Sequence, residues 1–131
     1  MTVNEYKKKP VIFDAAFSIS SFEHDGLGRY GDPVDPDGDL KAMEKMKKFL
    51  KPGGRLVLAV PIGKDSLVWN AHRVYGSLRL PMFLNGWKIL KSFGFDKNML
   101  HRDTGLAYDS DWKEKKIEYP QYQPVFVLEN I

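Results

Sequence analysis

Apolar residues fall along this chain in two kinds of run. From Val11 to Ile19 the segment VIFDAAFSI is apolar at almost every position, Asp14 excepted, and shows no alternation. A strand of that pattern is covered on both faces, as inside a parallel sheet. Further on, Leu40, Met43, Met46 and Leu50 recur at three-to-four spacing with Lys41, Lys45 and Lys48 between them, which predicts a helix with one buried stripe. Asp39 is placed to cap that helix, Lys51 suits the dipole in its last turn, and Pro52-Gly53-Gly54 ends it and turns the chain. A second buried strand is expected from Arg55 to Val60, stopping at Pro61.

Strand, helix and strand joined by short turns predict a right-handed crossover and a parallel pair, hence an α/β fold. Ile62 to Leu80 is mixed. A further helix is expected from Pro81 to Phe93, with Phe83, Trp87 and Leu90 along one stripe and Gly94 closing it. The remainder predicts a strand at about Asp96 to His101, a polar excursion from Arg102 to Tyr119, and a final strand from Val125 to Leu128. Those two strands are expected as an antiparallel appendage, making the sheet mixed. At 131 residues the chain makes one domain, with 1–9 as a basic lead-in.

Composition removes several classes of chemistry. The absence of cysteine excludes disulfides, zinc-thiolate sites and a thiol nucleophile, and fits a reducing, cytoplasmic setting. No apolar run approaches the roughly eighteen residues that span a bilayer, and Met1 to Lys9 carries no hydrophobic stretch of signal type. The formal charge is +3, but the lysines are dispersed rather than interleaved with aromatics, so neither a nucleic-acid nor a membrane partner is expected. Lys7, Lys8 and Lys9 read as solvated gatekeepers before a strand.

Candidate chemistry gathers in the long loop from Ser20 to Asp39, dense in Gly, Pro and Asp. Gly26, Gly28 and Gly31 match G-x-G-x-x-G, yet Asp32-Pro33 follows at once, and a dinucleotide site would need a helix to begin there. Asp35-Pro36-Asp37-Gly38-Asp39 resembles a calcium loop until its twelfth position, Met46, where a bidentate glutamate is required. No metal is expected, and these aspartates read as turn and cap residues. Glu23, His24 and Asp25 stand where a buried parallel strand runs out at its carboxyl end, the edge at which open α/β sheets bind ligands. His24 suits a general base, with Glu23 or Asp25 to orient its ring. Arg29, Tyr30 and Asp32 from the same loop, and Asn70, His72 and Arg73 after the second strand, are the candidate substrate-binding residues. Arg73 would clamp an anionic or polyhydroxyl group, while Trp69 and Tyr75 equally suit packing onto the sheet.

Three segments, FDAAFSISSFEHDGLGRYGDPVDPDGD, FLKPGGRLVLAVPIG and WNAHRVYG, resemble the domain of unknown function 268 family, itself similar to class I S-adenosylmethionine-dependent methyltransferases. The resemblance covers roughly 11–95. It implies a partial Rossmann-like methyltransferase fold of strands four to seven with two helices, Val11 to Ile19 being the fourth strand and Arg55 to Val60 the fifth. It implies methyl transfer from S-adenosylmethionine to an oxygen or nitrogen nucleophile, a sugar among the candidates. Strands one to three, with the glycine-rich cofactor turn, would then precede residue 1, and the chain alone is not expected to hold the cofactor. Val11 to Ile19 would be a sheet edge in need of cover, by a second copy in a homodimer or by a separate amino-terminal half. The alternative reading is a non-catalytic interaction module or remnant that binds a partner chain.

Overall fold

Two parallel strands, joined by a helix, form the frame that the apolar runs predict. In a computed structural model, which describes Lys8, 11–103 and 122–131, β1 spans Phe13–Ile19, α1 Gly38–Phe49 and β2 Leu50–Ala59. They are followed by a small hairpin, β3 (Ser66–Val68) and β4 (His72–Val74), then α2 (Arg79–Phe83), β5 (Trp87–Phe93) and β6 (Val125–Asn130). The fold is mixed α/β: a mixed four-stranded sheet in the order β1-β2-β6-β5, with β3 and β4 as a separate pair. No helix among the described residues is long and apolar enough to cross a membrane.

β1 and β2 pair in parallel, Phe17 against Val57 and Ile19 against Ala59. The last strand, β6, is not an appendage but lies inside the sheet, antiparallel to both β2 and β5. β1, β2 and β5 therefore run one way and β6 the other.

Four sequence expectations need correction. Pro52-Gly53-Gly54 does not end the helix. It forms an irregularity inside β2, where the register jumps from Phe13–Leu50 to Ala15–Arg55 and Gly53 takes a φ of 79°. Lys51 consequently pairs with Asp14 of β1 at 2.9 Å rather than with a helix dipole. Asp39 does not cap α1. Asp37 occupies the cap position, and Asp39 is turned inward and fully buried. The helix expected from Pro81 to Phe93 stops at Phe83, because Asn85-Gly86 turns the chain and Trp87 onward enters the sheet; Gly86 has a φ of 81°. The strand expected at Asp96 to His101 is a 3-10 turn over Lys97–His101, opened by the Asp96 carboxylate accepting the Asn98 N–H. The basic lead-in, Lys8 apart, and the excursion beyond Asp103 lie outside the described residues.

One face of the sheet carries the core. Leu56 and Leu58 of β2 and Phe126 and Leu128 of β6 are buried in one cluster with Met43 of α1 and Phe83 of α2, and the Tyr75 ring stacks on Phe83 at 4.4 Å. Deleting any of these leucine side chains would cost about 2–5 kcal/mol. The opposite face is different. Phe17, Val57 and Val127 lie in one row across it, and Ile19, Ala59, Val125 and Phe93 in the next. Phe17 is 74% exposed, and Ile19 and Phe93 are exposed as well. The cover on both faces that the β1 sequence predicts is thus absent on this side among the described residues, which supply no element beyond β1 at that edge.

Candidate functional site

At the carboxyl end of β1 the chain folds into a wired loop. Ser20 takes a left-handed φ of 50° while its N–H donates to the Ala59 carbonyl at 2.9 Å, and Phe22–His24 forms a single 3-10 turn. Gly26 then allows the loop to close on itself: its N–H donates to the Asp32 carboxylate at 2.7 Å, and its carbonyl accepts from the Asp35 N–H at 2.8 Å. A Cβ at Gly26 would stand 2.2 Å from the Asp35 carbonyl oxygen. Asp32 is therefore a turn residue, its carboxyl held below the usual carboxylate range first by the Gly26 N–H. No helix begins near Gly31. The next one starts at Gly38, so the glycine pattern shapes a loop and not a nucleotide cradle.

Beneath the loop lies a buried charged network. Arg73 of β4 is buried, and its guanidinium donates to the carbonyls of Asp25 (2.6 Å), Pro36 (3.2 Å), Asp35 (3.3 Å) and Glu23 (3.4 Å). Its Nε lies 3.6 Å from Asp39 Oδ1. Asp39 accepts from the Tyr75 hydroxyl at 2.9 Å and from Arg79 Nη2 at 2.6 Å. Burial, and then the Asp39 carboxylate, push the Tyr75 phenol far above its ordinary range. Arg79 is held in turn by the start of α2. Against the cost of burial, the N–H groups of Leu78, Arg79 and Gly76 keep the Asp65 carboxyl below its usual range. Arg73, expected as a substrate clamp, thus ties four loop carbonyls to Asp39 of α1. The sequence reading gave Asp39 only a capping role and missed Asp65 and Arg79, because their partners are eleven to forty positions away and several are backbone groups.

The remaining acid-base residues meet on the other side of β4. The His24 Nδ1 bonds the Ala71 carbonyl in the hairpin turn, and its ring lies edge-on to His72 at 6.1 Å and to Tyr30 at 6.0 Å. Burial first, then His24, lowers the His72 pKa below 6.5. Glu23, not Asp25, is the acid beside the His24 ring: Oε1 stands 3.6 Å from Nε2. Glu23 is fully buried and no donor reaches either of its carboxylate oxygens. Asp25 is half-buried, its pKa raised first by burial and then by Asp32. Asn70 takes a left-handed φ of 56° in the hairpin turn, and Arg29 lies over the exposed Tyr30 ring at 5.9 Å.

A mainly apolar cleft of about 390 Å³ opens between loop and hairpin, lined by Leu27, Val34, Leu67, Trp69 and Val74 together with the charged Asp65, Arg73 and Arg79, within the usual size range of small-molecule sites. The structure thus brings together Glu23, His24, Tyr30 and His72, and directs Asp32 and Arg73 into the loop itself. No group of metal-ligating residues forms among the described residues.

The model of the family described as Caenorhabditis protein of unknown function, DUF268, matches residues 2–130, and the chain belongs to that family. A search of curated proteins gave no match.

Proposed function

We propose that the chain is the acceptor-binding half of a methyltransferase-like domain, acting on a hydroxyl or amine group, with sugars among the acceptors. The observation that carries this reading is the strand order. The last strand, β6, runs antiparallel between β2 and β5 while the other three agree in direction. The fourth, fifth, seventh and sixth strands of the class I methyltransferase sheet follow one another in that way. The loop after β1 and the segment after β2 then face one crevice, as ligand sites in open α/β sheets do.

S-adenosylmethionine, the cofactor of that class, does not fit the described residues. Gly26, the first glycine of the loop, closes against the Asp35 carbonyl, and the amino end of α1 is filled by Asp39 with Arg73 and Arg79. Its binding belongs to polypeptide that pairs along β1. The Ser20 N–H points to β2, and alternation along the strand then turns the amides and carbonyls of Ala15, Phe17 and Ile19 to the open edge. A strand there, with helices over Phe17 and Ile19, would cover both the edge and the bare face.

His24 is the acceptor's base in this reading. The bond from Nδ1 to Ala71 leaves Nε2 to take a proton. The test is transfer of labelled methyl groups from S-adenosylmethionine to sugar, alcohol and amine acceptors, using the full polypeptide that contains this chain. His24→Ala is expected to lower turnover by about 10²–10⁴-fold without changing cofactor affinity. A full polypeptide that takes up no S-adenosylmethionine at millimolar concentration by titration calorimetry would overturn the reading.

A further inference from the structure

Trp69 and Tyr75, which the sequence offers equally as packing residues, part company in the structure. Tyr75 lies in the core, stacked on Phe83, whereas Trp69 is 73% exposed and takes no part in that cluster. Trp69 sits in the turn between β3 and β4, where the Ala71 N–H donates to the Val68 carbonyl at 3.0 Å and Asn70 takes its left-handed φ. That turn is made by backbone groups and does not need the indole. Leu67 and Val34 are more than half exposed as well. Single apolar side chains on a surface are ordinary, but these three line one concavity of about 390 Å³ whose wall is completed by the buried Leu27 and Val74. Apolar groups gathered in this way mark a ligand site.

The charged groups of the lining decide which ligands the cleft takes. Arg73 gives its donors to the loop carbonyls and faces Asp39. Arg79 faces Asp39 at 2.6 Å and Asp37 at 3.7 Å. The Asp65 carboxylate accepts from the N–H groups of Gly76, Leu78 and Arg79 at 2.8–2.9 Å. Each charge that lines the cleft therefore already has its partner within the protein. An ion entering would give up its water without meeting a free counter-charge, which is the costly case. A sugar would need partners for a whole ring of hydroxyls, and an apolar lining with its charges engaged does not provide them.

We propose that the cleft between the loop and the hairpin binds a neutral aromatic ring, held against Trp69 and walled by Val34, Leu67 and Val74. Stacked or edge-on contact with the indole orients the ring, and removal of the exposed leucine and valine from water drives the binding. Neither His24 nor His72 lines the cleft, so the inference does not rest on the methyl-transfer reading.

Four small probes separate the ligand classes: benzyl alcohol as the neutral ring, benzoate and benzylamine as its anionic and cationic counterparts, and methyl glucoside as the sugar. Titrated into the full chain labelled with nitrogen-15, benzyl alcohol at millimolar concentration is expected to move the indole N–H signal of Trp69, which is identified by its loss in Trp69→Phe. The other three probes are expected to bind at least about tenfold more weakly. Trp69→Ala should weaken benzyl alcohol by at least about tenfold while melting within about 3 °C of the natural protein, because the exposed indole supports no core contact. Trp69→Phe, which keeps a ring, should retain the binding. Benzoate, benzylamine or methyl glucoside bound as tightly as benzyl alcohol overturns the inference, as does no uptake of benzyl alcohol or undiminished binding in Trp69→Ala. Should Trp69→Ala fail to fold, nuclear Overhauser contacts in the natural protein decide: contacts from the benzyl ring to the methyl groups of Val34 and Leu67 are expected, and their absence overturns the proposal. None of these readouts uses S-adenosylmethionine, so the cleft and the methyl-transfer reading fail separately.

Discussion

Replacing Arg73 by Ala removes the group on which loop and hairpin converge. Four backbone carbonyls, of Glu23, Asp25, Asp35 and Pro36, lose a donor at once, and the buried Asp39 keeps only Tyr75 and Arg79. A hydrogen bond from a charged donor contributes about 1.5–3 kcal/mol, and removing one member of a buried ion pair costs about 3–5 kcal/mol. The contacts share one guanidinium and overlap rather than add, and those at 3.3 and 3.4 Å are long. The pair figure therefore dominates, and the expected loss is about 3–5 kcal/mol out of a total of about 5–15 kcal/mol. With a urea dependence of about 2 kcal/mol per molar, the unfolding midpoint followed by tryptophan fluorescence should fall by about 2 M. Arg73→Lys keeps the charge but not the planar fork that spans several carbonyls, so at least half of that fall is expected for it too. A midpoint within about 0.3 M of the natural protein for Arg73→Ala would refute the reasoning. The loop would then stand without the guanidinium, leaving Arg73 available as the ligand clamp that its sequence position suggests.

Two more outcomes follow from the same geometry. Gly26→Ala should destabilise the protein more than Gly31→Ala by at least about 1 kcal/mol in the same titration, since both residues have left-handed φ but only Gly26 would drive a Cβ into a carbonyl; equal losses would show that the loop opens freely there. The His72 pKa is lowered in the folded state, so the unfolded chain binds its proton first as pH falls. The stability tied to His72 is present above 6.5 and lost as pH falls from there toward the lower folded value. Melting temperature should fall over that window less steeply in His72→Gln than in the natural protein, and parallel curves would remove His72 from the account.

How much of this was legible in the sequence depends on the reach of each interaction. β1, α1, β2 and β6 were readable because unbroken apolar runs and three-to-four spacing are local signals. Trp87 to Phe93 was misread because Phe83, Trp87 and Leu90 fit a helical stripe. The Asn85-Gly86 turn and the pairing of Ile89 with Leu128 decided instead, and that partner lies far along the chain. Glu23 and His24 could be named as acid-base candidates from their place after a buried strand. Their roles could not, because the partner of His24 is a backbone carbonyl forty-seven positions on, and a carbonyl has no signature in composition. Asp39 looked like a cap for the same reason, its partners Tyr75 and Arg79 being thirty-six and forty positions away.

Strand alternation explains how neighbours on the short β4 take opposite parts. His72 and Arg73 are adjacent, so their side chains leave the strand on opposite sides. Arg73 goes down into the loop carbonyls and His72 toward the His24 ring. The hairpin turn just before β4 supplies the Ala71 carbonyl that sets the His24 tautomer. The hairpin thus fixes the backbone of the loop through Arg73 of β4 and the orientation of the loop's histidine through Ala71 of the turn. A slip of β4 by one residue would turn each side chain to the opposite face and take the guanidinium away from the loop carbonyls. The register of Leu67 against Arg73 and Val68 against His72 therefore holds both the loop carbonyls on their guanidinium and the His72 ring beside His24.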